Sequence, residues 1–146
     1  FVYVTYIRTT PEKLWEAFTT PEMQRLYWFG AAQESDWKKG SAWRIAFPDG
    51  RVMDTGEILE IDPPRKLVLS WRNEFMPELK AEGWARCTIT LEPADEAVKL
   101  MVVHENDHEA SKFIEAVSGG WPKIFAGLKS LLETGKPLAM PNKKPA

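Results

Sequence analysis

The 146-residue chain holds a single cysteine, Cys87, so no internal disulfide can form, and a lone thiol fits a reducing compartment. It has no apolar run near the ~20 residues that span a bilayer, and the opening Phe1-Val2-Tyr3-Val4-Thr5-Tyr6 is too short to be a signal peptide. It also lacks an excess of positive charge. Its 19 Lys and Arg against 21 Asp and Glu give a net charge of −2, and the basic residues are scattered, which argues against a nucleic-acid face. No Gly-rich phosphate loop, serine nucleophile elbow or Cys-Cys metal pair is present. The expectation is a soluble, cytoplasmic protein with no membrane span, cofactor, metal or nucleic-acid partner. Because the chain starts at Phe1 rather than Met, residues preceding it are left open.

What the chain does have is aromatic side chains: seven Trp and seven Phe, more than packing alone needs. A domain of this length buries roughly 68 to 70% of its unfolded surface, enough for a core without disulfide or metal support. One domain over residues 1–136 is expected, followed by a flexible Pro/Lys-rich tail over 137–146.

Alternation over Val2 to Arg8 predicts an opening strand. Thr10-Pro11-Glu12 and Thr20-Pro21-Glu22 each supply an N-cap, a first-turn proline and an acid, so two short helices follow. From Gln33 to Asn106, short apolar or alternating runs are divided by turn signals at Lys39-Gly40, Pro48-Asp49-Gly50, Asp62-Pro63-Pro64 and Pro93-Ala94-Asp95, the pattern of an antiparallel meander. Trp43, Ile45 and Phe47 share one face, as do Leu67, Leu69 and Trp71. Cys87, Ile89 and Leu91 continue the inward pattern, and Val98, Leu100, Val102 and His104 finish it. Val52 to Ile61 carries two conflicting registers, with Met53, Leu59 and Ile61 in one and Val52 and Ile58 in the other, and Gly56 is a candidate bulge.

A short helix is expected around Phe113, Ile114 and Val117. The main helix follows, with Trp121, Ile124, Phe125, Leu128, Leu131 and Leu132 on one stripe. Pro122 is tolerated only in a first turn, which sets the start between Ser118 and Pro122, and Gly135 with Pro137 marks the end. Burying those six side chains is worth roughly 9 to 18 kcal/mol gross, so no other element anchors the fold as strongly.

Four stretches together resemble a known family: Leu14-Trp15-Glu16-Ala17-Phe18-Thr19, Gly40 through Trp43-Arg44, Gly56 through Pro63-Pro64 to Leu67, and Gly119-Gly120-Trp121 through Leu128 to Gly135. In this order, over Val4 to Gly135, the chain is similar to the START-like, Bet v 1-related superfamily, in the branch of the C-terminal domain of the activator of Hsp90 ATPase. The resemblance implies an α+β helix-grip fold: a curved antiparallel sheet wrapped around a long C-terminal helix, with two short helices after the first strand. It implies a cavity between sheet and helix that in relatives holds apolar molecules. Members include carriers, receptors, cyclases, hydrolases and co-chaperone domains, so fold alone leaves activity open.

The literal H-E-x-x-H of His104-Glu105-Asn106-Asp107-His108 would suit a zinc peptidase only on a helix. It follows a strand and contains turn formers, and an extended run would hold the two histidines roughly 13 Å apart. His104, inward by parity, reads first as a hydrogen-bonded histidine at a cavity edge and second as a polar anchor for a ligand. Cys87 reads as a small buried hydrophobe rather than a nucleophile. Trp84 has outward parity, Asp49 and Asp54 read as solvated groups at a hairpin, and Trp28 with Phe29 as a rim over a pocket entrance. Gly119 and Gly120 are expected to free the chain to turn ahead of Trp121.

The expected function is binding of a small hydrophobic or aromatic ligand through Trp28, Trp43, Ile45, Trp71, Cys87, Ile89, Val102, His104, Trp121, Phe125 and Leu128. No catalytic residue is assigned. The alternatives are a chaperone-interaction module of the Hsp90 type, and a cyclase or hydrolase of an aromatic or polyketide-like compound.

Overall fold

The computed structural model describes residues 1–138, so the expected tail lies almost wholly outside the described residues. In β1 (Val2–Ile7), alternation turns Val2, Val4 and Tyr6 to solvent and buries Ile7 on the opposite face. Two short helices follow, α1 (Pro11–Thr19) and α2 (Pro21–Tyr27), each with proline in its first turn. Thr10 caps α1 by accepting the Lys13 N–H at 3.2 Å, and Leu14, Ala17 and Phe18 face inward. Thr20, by contrast, makes no side-chain capping bond to α2.

The meander is β2 (Ala32–Ser35), β3 (Ala42–Ala46), β4 (Val52–Asp62) and β5 (Lys66–Asn73), then the short α3 (Pro77–Lys80), β6 (Ala85–Ala94) and β7 (Ala97–Glu105). All seven strands form one antiparallel sheet in the order β1-β7-β6-β5-β4-β3-β2, curved and not closed on itself. The long helix α4 (Lys112–Thr134) lies across its inner face. This is the helix-grip arrangement. No helix among the described residues is long and apolar enough to cross a membrane.

The inward faces of β5, β6 and β7 follow the sequence parity: Leu67, Leu69, Trp71, Cys87, Ile89, Leu91, Val98, Leu100, Val102 and His104 are all buried, and Trp84 is exposed. Three readings need correction. First, the two registers of β4 both hold, one after the other. Ile58 pairs with Leu69 and Ile61 with Leu67, and the register shift between Ile58 and Glu60 joins them. Gly56 is not the bulge; a Cβ there would sit 1.8 Å from the Ser70 carbonyl oxygen, so the glycine permits close backbone approach. Second, Asp54 is not solvated but buried, because it shares the inward phase of Ile58.

Third, α4 is one helix rather than two, and Gly119, Gly120 and Pro122 lie inside it. Its start is fixed at Lys112 by a cap that propensity does not reveal. Ser111 Oγ accepts the Ile114 N–H at 3.0 Å, and Glu82 accepts the Lys112 N–H at 2.8 Å, placing a carboxylate at the positive helix end. Its end is as the sequence predicts: Gly135 takes a left-handed φ of 85° and its N–H closes on Leu131. The C-terminal half is tied to the first strand, with Glu133 accepting the Arg8 N–H at 2.8 Å and Lys129 Nζ donating to the Tyr6 carbonyl.

Candidate functional site

The N-terminal half of α4 stands off from the sheet and roofs a partly open cavity of about 140 Å³. The roof is a helical stripe, Phe113, Ala116, Val117, Gly120, Trp121 and Ile124, in which the small residues leave the space. A Cβ added at Gly120 would meet nothing within 4 Å. The floor is Ile45 from β3, Met53 and Asp54 from β4, and Trp71 and Asn73 from β5, with Trp28 and Phe29 beyond α2 and Leu79 of α3 at the sides. The rings stand steeply to one another: Trp121 meets Trp28 at 5.5 Å and 74°, and Trp71 at 5.6 Å and 69°.

Four of the residues predicted from sequence line this space: Trp28, Ile45, Trp71 and Trp121. Trp28 is itself buried, so of the expected rim pair Phe29 is the more accessible member. Trp43, Cys87, Ile89, Val102, His104, Phe125 and Leu128 are buried in the core behind it. Trp43 is consumed structurally, since its indole N–H donates to Gln33 Oε1 at 2.9 Å while Gln33 reaches the Phe18 carbonyl from its amide nitrogen. His104 accepts the Trp121 indole N–H on Nδ1 at 3.1 Å, which leaves its proton on Nε2, where it has no partner among the described residues. Burial holds its pKa down at about 3, so the ring is neutral. His104 thereby orients Trp121, one of the cavity walls. Burial also pushes the Cys87 thiol far up, consistent with an inert core cysteine. The strand predicted for the H-E-x-x-H segment is present as far as Glu105, and His108 lies exposed in the loop beyond.

Sequence reading missed the polar centre of the cavity. Among the described residues that line it, Asp54 is the only ionisable side chain. Burial raises its pKa from 3.8 to about 7, against the opposing effect of Trp71 and Asn73, while Glu74 adds like-charge repulsion. Asn73 Nδ2 donates to Asp54 Oδ1 at 3.3 Å. The Trp71 indole N–H acts on the same carboxyl but makes no hydrogen bond of good geometry. The register carried the missing signal: Asp54 lies four residues before Ile58 on the inward phase and pairs with Ile45 and Asn73.

A family model described as activator of Hsp90 ATPase homolog 1-like protein matches residues 8–133. Among solved structures, a protein from Mesorhizobium loti is 24% identical with a TM-score of 0.73, the alignment covering 90% of this chain and 96% of that one. An Hsp90 activator from Plasmodium falciparum is 22% identical, covers 90% and 94%, and has a TM-score of 0.73. The Aha1 dimer from Colwellia psychrerythraea is 20% identical, covers 92% and 96%, and has a TM-score of 0.71. No curated protein matches the chain.

Proposed function

The chain belongs to the activator of Hsp90 ATPase homolog 1-like family, and on that premise we propose that it binds a small aromatic or apolar molecule in the cavity between α4 and the sheet. The observation that carries this reading is the space beneath Gly120, walled by Trp28, Trp71, Trp121 and Phe113. Drug-sized ligands occupy pockets of roughly 300 to 1,000 Å³, whereas a cavity of about 150 Å³ holds benzene. At about 140 Å³ the cavity matches a single benzene-sized ring, and its open side leaves room for a small substituent. Titrating the protein with toluene, phenol and indole while following thermal unfolding is expected to raise the melting temperature, since a ligand at 100 times its Kd stabilises by about 2.7 kcal/mol. Gly120→Leu, which fills the space, is expected to abolish the shift while leaving the protein folded. No shift with any of the three ligands in the wild type would refute the reading.

A second reading is a chaperone-interaction module. It is favoured by the family match and by the exposed Phe75, Met76 and Trp84, which lie close together in sequence around α3. Purified protein that leaves the ATPase rate of Hsp90 unchanged would remove it.

A further inference from the structure

We propose that the molecule held in this cavity is a small organic ammonium ion, paired with the Asp54 carboxylate and enclosed by Trp28, Trp71 and Trp121. The inference rests on the ligand-binding reading above and names the class of ligand. Its basis is what surrounds Asp54. Asn73 Oδ1 accepts the Met76 N–H at 2.9 Å, and this fixes the amide so that its NH₂ group faces Asp54. The other polar neighbour, the Trp71 indole, is also a donor. A protonated carboxyl would need an acceptor for its own O–H, and neither neighbour supplies one. The surroundings are therefore built for the anion.

Among the described residues, that anion has no positive partner. The charge acting on it is Glu74, which has the same sign and is already engaged by Arg72 at 2.7 Å and Lys80 at 3.2 Å. The cavity faces of α3, α4, β3 and β5 carry no ionisable side chain. His104, whose ring lies 4.8 Å from that of Trp71, remains neutral. A buried carboxylate without a countercharge is unfavourable, and a ligand that supplies the cation relieves it. The aromatic walls favour the same ligand, because indole rings attract alkylammonium groups through their quadrupoles. A hydroxyl ligand would engage Asp54 as well, but would leave the charge unneutralised.

Benzylammonium and benzyl alcohol have nearly the same shape and differ in charge, so isothermal titration of the full chain with each separates the possibilities. At pH 8 the cation is expected to bind at least about tenfold more tightly than the alcohol. Its affinity is expected to fall by up to about tenfold per pH unit once Asp54 must lose a proton to receive it, that is, below about pH 7. Asp54→Asn is expected to abolish both the preference and its pH dependence while retaining alcohol binding, which reports an intact cavity. Trp71→Phe keeps the carboxylate and is expected to retain part of the preference. Equal affinities at pH 8, or a preference that survives in Asp54→Asn, would overturn the ammonium assignment and leave the ligand-binding reading standing. Binding of neither compound would overturn both.

Discussion

Burial acts on two side chains here with opposite consequences for acid stability. Asp54 titrates near 3.8 when unfolded and near 7 when folded, so the native state holds the proton more tightly, and this contribution is present at low pH and lost as pH rises to about 7. His104 moves from 6.5 to about 3, so the unfolded state binds the proton more tightly and stability is lost as pH falls below about 6.5. Each contributes about 1.4 kcal/mol per pH unit within its window, and between about pH 4 and 6.5 the two slopes nearly cancel. Urea unfolding of the wild type is expected to be close to flat across that range as far as these groups decide it. In Asp54→Asn the histidine slope stands alone, and stability is expected to drop by about 3 kcal/mol from pH 6.5 to 4. A wild-type curve that falls as steeply as that of Asp54→Asn would show that Asp54 does not hold its proton in the folded protein, and a flat variant curve would show that His104 is not held neutral. Parity along β7 made the inward position of His104 legible in the sequence. Asp54 was not, because it follows the hairpin signal Pro48-Asp49-Gly50 in a strand whose two registers contradict each other until the bulge is known.

At the level of elements, the strands were legible wherever alternation was unbroken, as in β5, β6 and β7, and the end of α4 was legible from Gly135. The start of α4 was not. Gly119, Gly120 and Pro122 are poor helix formers, and local propensity places a break there, but packing of Phe113, Trp121 and Phe125 together with the Glu82 cap overrides it. The glycines of β4 and α4 therefore differ in kind. Gly56→Ala forces a Cβ against the backbone oxygen of Ser70, and chemical denaturation is expected to show a loss of more than about 3 kcal/mol or failure to fold. Gly120→Ala places its methyl in open space within a helix and is expected to add up to about 1 kcal/mol, with a smaller cavity as the result. A stabilised Gly56→Ala would contradict the close strand approach. The short α3 and its Leu79, which closes one side of the cavity, left no periodic signal because four residues are too few to show one.

On the scale of the whole molecule, the order of strand, two helices, meander and long helix was readable because proline or glycine marks the boundaries as far as the meander, at Pro11, Pro21 and Gly30, and the end of the long helix at Gly135. The cavity was not readable, since its position depends on where α4 stands off from the sheet. Glu82 holds one end of that helix, and Tyr6 and Arg8 hold the other. Between them Pro122 has no N–H to give the Ser118 carbonyl, so one rung of the hydrogen-bond ladder is missing beside two glycines. Such a helix is two stiff rods pinned at their far ends and joined by a compliant joint. The upper limit on ligand size is then set by how easily the joint bends rather than by the resting volume. Pro122→Ala restores the rung, and it is expected to raise the melting temperature, keep the affinity for toluene and weaken binding of the bulkier indole, narrowing the range of guests the protein accepts.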